Sequence, residues 1–220
     1  MQGTIVHLSN IQVRTKRGEE LFSGLNFTLQ SERSAVIIGG AGSGKSTLFE
    51  LLLGMQRPMS GTIELFGEQF QRPSGRQLRR IRRKIGGVGG PFALVPSLTV
   101  AENIQMPLII AGERAEHQKE RMLKLLGEFS LLNHAVQYPA SLTRVEQMLV
   151  QIARASIAYQ PLMIIDEPSA GLDSRTYTRV FEYLIQASQS GRSLIILSSE
   201  KPPMEIPNSD IYAISGGMLA

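Results

Sequence analysis

Two hydrophobic patterns follow one another along the chain. Short apolar runs that alternate with polar positions predict strands at 4–8, 25–29 and 62–66. Solid apolar runs predict strands buried on both faces of a mostly parallel sheet, at 35–38, 162–165, 194–197 and 211–214. Residues 85–88 predict one further short strand. The span 100–159 has helical character, and separate helices are predicted at 48–53, 76–84, 113–129, 145–158 and 176–187.

The composition narrows the class of protein. The chain has 220 residues, of which 42% are hydrophobic, so it can bury a sizeable core. It has no cysteine, which excludes disulfides and thiolate metal sites. No apolar run reaches the length of about 18 residues that spans a bilayer, and no basic segment precedes an apolar one at the N-terminus. We therefore expect neither a membrane span nor a secretory signal, which fits a cytoplasmic protein.

The net charge of +4 comes largely from one basic stretch. Its members crowd into thirteen positions and are Arg72, Arg76, Arg79, Arg80, Arg82, Arg83 and Lys84. Such a stretch is either a patch for nucleic acid or anionic lipid, or the solvated face of a short helix. No aromatic residue is interleaved to stack on bases, which favours the solvated helix face. We do not expect a nucleic-acid partner.

A glycine-rich segment between a predicted strand and a predicted helix carries chemistry. It matches the phosphate-loop pattern G-x-x-x-x-G-K-[ST] and reads Gly39-Gly40-Ala41-Gly42-Ser43-Gly44-Lys45-Ser46-Thr47. Glycines let successive backbone N–H groups point at phosphate oxygens, and the helix dipole adds to the attraction. We expect Lys45 to reach the β- and γ-phosphates and the Ser46 hydroxyl to bind Mg²⁺. The segment therefore predicts a nucleoside triphosphate site.

Two carboxylates follow the apolar run at 162–165. At this strand tip we expect Asp166 to hold Mg²⁺, directly or through water. Glu167 is then placed to polarise an attacking water as general base. Phosphate chemistry requires both groups beside a phosphate loop.

These elements define the fold class as α/β. We expect a P-loop NTPase core with a mostly parallel central sheet, an antiparallel N-terminal β subdomain and a helical insertion subdomain. The chain is expected to form one domain over 1–220. Its nucleotide-binding core would cover about 1–91 and 159–220, and the helical subdomain about 92–158.

Over nearly all its length the chain resembles the ATP-binding-cassette (ABC) ATPase family. The phosphate loop and Asp166-Glu167 correspond to the two nucleotide motifs of that family, and the segment 169–173 to its D-loop, which crosses the dimer interface at Asp173. Residues 152–155 match the I-A-R-A end of the signature helix. Residues 96–104 resemble the subgroup that contains FtsE and the ATPases of lipoprotein release and macrolide export. The resemblance implies ATP and Mg²⁺ as ligands and a head-to-tail dimer.

The signature motif departs from the family pattern. Where the family has L-S-G-G-E-Q, residues 142–147 read L-T-R-V-E-Q, so the dimer-interface positions are Thr143, Arg144, Val145 and Glu146. In the family these glycine amides approach the γ-phosphate held by the other subunit. Arg144 and Val145 add bulk where close backbone approach is needed. Arg144 either supplies charge to that phosphate or is an exposed arginine without such a role.

Two sensing positions are also altered. The family glutamine after the strand 85–88 is replaced by Gly90, which has no side chain to sense metal or water. The switch histidine of the family is replaced by Ser199. A serine can still hydrogen-bond a phosphate oxygen, but it is shorter than histidine. The parts that bind phosphate and metal within one chain are retained, and the parts that sense the nucleotide are altered.

The sequence is compatible with three functions. The first is the ATP-binding subunit of a membrane-associated ABC complex, hydrolysing ATP slowly or only with a partner cassette. It would form a homodimer or heterodimer, join a transmembrane permease-like subunit on a separate chain, and lie on the inner face of the cytoplasmic membrane. The second is a non-catalytic ATP-binding regulatory or scaffold subunit. The third, a nucleic-acid-associated cassette, has only the basic stretch in its favour.

Overall fold

The computed structural model describes residues 3–15, 17–70, 72–169 and 171–220. Ala170, in the segment that resembles the D-loop, lies outside the described residues. The elements follow one another in the order β1 (Thr4–Arg14), β2 (Glu20–Gln30), β3 (Ser34–Ile38), α1 (Lys45–Leu52), β4 (Ser60–Leu65), β5 (Glu68–Gln69), α2 (Gly75–Arg82), β6 (Ile85–Val88), α3 (Val100–Ala111), α4 (Ala115–Glu128), α5 (Arg144–Ser156), β7 (Leu162–Asp166), α6 (Ser174–Gln189), β8 (Ser193–Ser198), β9 (Ser209–Ser215) and β10 (Met218–Leu219).

The N-terminal strands form the predicted antiparallel sheet, with the order β2-β1-β4-β5. Strands β1 and β2 are each eleven residues long, which is longer than the alternation at 4–8 and 25–29 predicted. The pairing register of the two strands shifts between Leu8 and Ile11, where Asn10 has a φ of 51°. A bulge of this kind breaks the strict alternation in sequence without ending the strand.

Within the described residues the second sheet has six strands in the order β10-β9-β3-β8-β7-β6, and every pair except β10-β9 is parallel. This confirms the mostly parallel sheet. Strand β8 is buried on both faces, as predicted. The same prediction for 211–214 is wrong, because Ile211 in β9 is 52% exposed. Strand β9 is next to the edge of the sheet, and the two-residue strand β10 beyond it pairs only with Ile214 and Ser215, not with Ile211.

The parallel sheet separates two apolar clusters. Alternate residues of β8 serve each of them: Ile195 contributes to the cluster shared with α1 and the antiparallel sheet, and Ile196 to the cluster shared with helices α3 to α6. Because the strands are parallel, the carboxyl ends of β3, β7 and β8 meet at one edge. The phosphate loop and the acidic pair are therefore brought to the same place.

Candidate nucleotide site

The phosphate loop joins β3 to α1 in a conformation that requires glycine. Gly42 and Gly44 have φ angles of 78° and 104°, in the left-handed region. A Cβ on Gly44 would lie 2.5 Å from Cε1 of Phe22, so close packing also requires glycine there. Helix α1 begins at Lys45 with no side-chain cap and no acidic residue in its first turn. Its N-terminal amides and dipole are therefore available to an anion.

Lys45, the first residue of α1, is buried next to this loop, with 7% of the residue exposed. Its ammonium donates hydrogen bonds to the carbonyl oxygens of Gly39 and Gly40, the latter at 3.1 Å. It also lies 3.3 Å from Oε1 of Glu167. The lysine thus links the loop after β3 to the carboxylate after β7.

Asp166 ends β7 beside the loop, and its side chain has an incomplete set of partners. Its Oδ1 is buried, and none of the described residues donates a hydrogen bond to it. Burial raises the pKa of Asp166, the negative charge of Glu167 raises it further, and Lys45 opposes both. A buried carboxylate oxygen without a donor is suited to a cation. In the part of the chain that is described, no cluster of three or more His, Cys, Asp or Glu could hold a metal, so a cation at Asp166 would need oxygens from its ligand as well.

Glu167 is held by hydrogen bonds from the end of β8, the strand next to β7. Its backbone has a φ of 50°, and its N–H donates to the carbonyl oxygen of Leu197 in β8 at 2.8 Å. Ser199, just beyond β8, donates to Oε2 of Glu167 from its backbone N at 3.1 Å and from its hydroxyl at 2.9 Å. The residue at the switch position therefore contacts the expected general base. A contact of Ser199 with a phosphate oxygen stays a prediction.

The segment after β6 lies beside the same carboxylate. Gly90 has a φ of 47°, and a Cβ there would lie 3.2 Å from Cδ1 of Phe49 and 3.5 Å from Oδ2 of Asp166. The N–H of Gly89 donates to Oε1 of Gln151 in α5 at 2.8 Å. Gln151 thus ties the signature helix to the loop beside Asp166. No sequence pattern predicts this contact, since a glutamine in the middle of a helix is ordinary.

The start of α5 is closed by side chains from the altered signature. Thr143 accepts a hydrogen bond from the N–H of Glu146 at 3.3 Å, and Glu146 accepts from the Thr143 backbone N at 2.7 Å. The backbone hydrogen bond from Thr143 lowers the pKa of Glu146, and the nearby His134 lowers it further. These two residues form a capping box, which the T-x-x-E spacing could have predicted. Their place in a dimer interface stays a prediction.

The other expected interface residues lie close together on the surface. Arg144 is exposed at the first position of α5, and a Cβ on Gly171 would lie 3.8 Å from its Cδ. Asp173 is exposed and caps α6 by accepting hydrogen bonds from the Thr176 N–H and hydroxyl at 2.9 and 2.8 Å. Val145 is partly buried. The signature and D-loop segments therefore share one surface of the chain.

Several basic residues at α2 have partners within the chain. Arg80 pairs with Glu68, and Nε of Arg82 donates to the carbonyl oxygen of Leu53 at 2.8 Å. The Lys84 ammonium lies 4.9 Å from the ring centroid of Phe66. The stretch is thus partly neutralised, in line with the solvated helix face.

The glycine loop, the buried lysine and the acidic strand end define a P-loop nucleotide-binding protein. The family model for the ABC transporter matches residues 22–170, and the chain belongs to this family. This confirms the family and the fold class expected from the motifs, and ATP is the nucleotide that such cassettes bind. Among the described residues, no helix is both long and apolar enough to cross a bilayer.

Named relatives agree with the expected subgroup. The chain is 32% identical over 217 residues to the lipoprotein-releasing system ATP-binding protein LolD of Aquifex aeolicus, covering 98% of this chain and 96% of that one. It is 27% identical over 215 residues to the cell division ATP-binding protein FtsE of Bacillus subtilis, covering 98% and 94%. A dimeric ATP-binding cassette, MJ0796, bound to ADP and phosphate matches with a TM-score of 0.86 and 27% identity, covering 98% and 96%.

Proposed function

We propose that this chain binds Mg-ATP at the phosphate loop and hydrolyses it with Glu167 as general base, as a subunit of a membrane complex. The observation that carries the proposal is the convergence of Lys45, Asp166, Glu167 and Ser199 at one edge of the parallel sheet. These side chains lie at or beyond the carboxyl ends of three different strands, β3, β7 and β8. In this arrangement the Lys45 ammonium would bind phosphate oxygens, the Asp166 carboxylate would bind the metal, and the Glu167 carboxylate would accept a proton from water.

The existing contacts suggest how the residues act. Triphosphate oxygens would take over the Lys45 ammonium from the carbonyls of Gly39 and Gly40 and from Glu167. The Glu167 carboxylate, still held at Oε2 by Ser199, would then accept a proton from water through Oε1. Asp166 and the exposed Ser46 hydroxyl would hold Mg²⁺, which when bound supplies positive charge to the phosphate oxygens.

A second function, non-catalytic ATP binding, is favoured by one observation. Both oxygens of Glu167 are engaged, Oε1 by Lys45 and Oε2 by Ser199. A carboxylate that stays in these contacts cannot accept a proton from water. The chain would then bind ATP and associate with a partner without turnover.

Phosphate release from Mg-ATP separates the two functions. We expect Glu167→Gln to abolish release while ATP binding survives, and Glu200→Gln, a nearby exposed carboxylate, to leave both unchanged. Absence of release from the unmodified chain, alone and with a partner cassette, would favour the non-catalytic function. Lys45→Ala should weaken ATP binding in either case, and unaltered affinity would contradict the nucleotide site.

We also propose that the chain joins its permease through a groove beside β6, which would place it on the inner face of the cytoplasmic membrane. The groove has a volume of about 580 Å³ and is lined by apolar residues such as Phe92, Met106 and Ile110. Arg79 and Arg83 are also among the residues that line it. An apolar segment with acidic flanks fits this surface. The cassette also aligns with 31% of the length of MacB of Burkholderia pseudomallei, named a macrolide export ATP-binding/permease protein.

Two neighbouring isoleucines provide a matched test of the groove. Ile110 lines it and is 52% exposed, whereas Ile109 is 56% exposed on the same helix and does not line it. We expect Ile110→Asp to abolish association of the chain with membranes that contain its permease, and Ile109→Asp to retain it. Equal association of the two variants would contradict the docking surface.

A further inference from the structure

A cavity of about 160 Å³ lies at the edge of the parallel sheet opposite the nucleotide site. It is bordered by α4, by the C-terminal ends of α5 and α6, and by Tyr159 and Arg192, which precede β7 and β8. Asp166 marks the other end of β7. The cavity is therefore separated from the phosphate loop by the length of the strands, about 16–20 Å for five or six residues.

Arg192 is a buried cation whose charge is not neutralised within the described part of the chain. The residue is 8% exposed, and no described carboxylate lies within 4 Å of it. Its guanidinium donates at 3.7 Å to the sulfur of Met163, a weak acceptor, and lies 4.9 Å from the ring centroid of Tyr159. A guanidinium has five donors, and a buried charge is costly unless it is paired. A bound anion would therefore stabilise the buried positive charge of Arg192.

The other charged residues that line the cavity are mostly positive. The Arg121 guanidinium lies 5.2 Å from the ring centroid of Tyr159, and its nearest carboxylate, on Glu113, is 4.0 Å away. Lys124 lies 3.9 Å from Glu128, which is the one acidic residue among the described residues that line the cavity. The lining therefore has three cationic side chains, counting Arg192, against one carboxylate.

Tyr183 adds a neutral donor to this lining. Burial raises the pKa of its hydroxyl, while Ser156 and Arg192 oppose that shift. The hydroxyl therefore stays protonated at neutral pH and is able to donate to an anion.

We propose that this cavity binds a small oxyanion of the phosphate class, held by the Arg192 guanidinium with Arg121, Lys124 and the Tyr183 hydroxyl. The volume equals that of about five waters at about 30 Å³ each, which fits a phosphate with water but not a nucleotide. A planar guanidinium provides the paired N–H groups that phosphate oxygens accept. A bound anion would link α4 to the start of β8, and so connect the helical insertion to the sheet.

Inorganic phosphate is the probe for this site, titrated at constant ionic strength with sodium chloride as balance. The Nε–H signal of Arg192 in a ¹⁵N NMR spectrum reports this cavity and not the phosphate loop, and we expect it to shift saturably. In the Lys45→Ala background, phosphate should also raise Tm. We expect Arg192→Gln to weaken this phosphate effect about tenfold or more, and Arg57→Gln, an exposed arginine outside the cavity, to leave it unchanged.

Each outcome decides for or against the site. No saturable shift of the Arg192 signal, or an equal phosphate effect in Arg192→Gln, would overturn the proposal. If Arg192→Gln does not fold, Tyr183→Phe removes a single hydroxyl and should weaken phosphate binding about fivefold, and an unchanged affinity would count against the site. Phosphoserine serves as a second probe. If the cavity binds both phosphoserine and inorganic phosphate, a phosphorylated side chain is supported as the natural source of the anion. If it binds inorganic phosphate but not phosphoserine, a free ion is supported.

Discussion

The substitution Asp166→Asn tests whether the carboxylate at the tip of β7 serves a cation rather than the stability of the fold. The change keeps the shape of the side chain and removes its charge. In the wild-type chain Oδ1 is buried without a donor, and Glu167 adds a second negative charge next to it. Lys45 offsets only part of this cost. We therefore expect the variant to be more stable than the wild type when no nucleotide or metal is added.

The size of the effect follows from the desolvation of the carboxylate. A buried polar group without its hydrogen bonds costs about 1–3 kcal/mol. Since the charge of Lys45 offsets part of this cost in the wild type, we expect Asp166→Asn to raise the free energy of unfolding by about 1–2 kcal/mol. For a chain of this size, each kcal/mol changes Tm by about 2–4 °C, so Tm should rise by about 2–8 °C. Mg-ATP at a hundredfold excess over its Kd adds about 2.7 kcal/mol to the wild type, a gain that the variant should largely lose.

The assay is thermal unfolding with and without Mg-ATP. We expect Asp166→Asn to have the higher Tm without Mg-ATP and the wild type to have the higher Tm with it. Asp173→Asn is the matched control, because hydrogen bonds from Thr176 lower the pKa of Asp173 and its charge is already well accommodated. We expect no gain in Tm from this control. A Tm for Asp166→Asn at or below that of the wild type without nucleotide would refute the reasoning.

Four further substitutions test parts of the site and the fold. Ser199→Ala removes one of two hydrogen bonds to Glu167 at an exposed position, and we expect kcat for phosphate release to fall about fivefold while ATP affinity is unchanged. Gly86→Ala would press a Cβ against the backbone of α5 and should destabilise the chain by about 1–3 kcal/mol in urea unfolding, whereas Gly127→Ala, with open space on α4, should stabilise it by about 0.5–1 kcal/mol. Thr143→Ala removes the cap of α5 and should cost about 1 kcal/mol in the same experiment.

The fold was largely predictable because the signals for it are local. A glycine loop between an apolar run and a helix, and an apolar run that ends in Asp166-Glu167, determine which strand ends meet in a parallel sheet. The helices α1, α2, α4, α5 and α6 begin and end within three residues of the predicted bounds. Strand β1 was predicted too short, since the bulge at Asn10 interrupts an alternation that the pairing with β2 restores.

The site was predictable in its residue types but not in its contacts. The contact of Ser199 with Glu167 depends on the register between β7 and β8, which pairs Asp166 with Leu197. The hydrogen bond from the Gly89 N–H to Gln151 joins residues far apart in sequence and follows no motif. Contacts of this kind arise from how helices pack on the sheet, and a single sequence contains no periodic signal for them.

Two of the altered motif positions, Ser199 and Arg144, have different surroundings in the structure. Ser199 holds one oxygen of Glu167 through two donors, so a nucleotide can draw Lys45 away from the other oxygen without releasing the base. A serine there would orient Glu167 as the proposed base, but it would add no positive charge beside bound phosphates. Arg144 is a cation that could provide such charge, and in its own chain its Cδ would lie 3.8 Å from a Cβ on Gly171. If Arg144 supplies charge to a phosphate of a second cassette, we expect phosphate release to rise on assembly, and if it is an exposed arginine without such a role, Arg144→Gln should leave release unchanged.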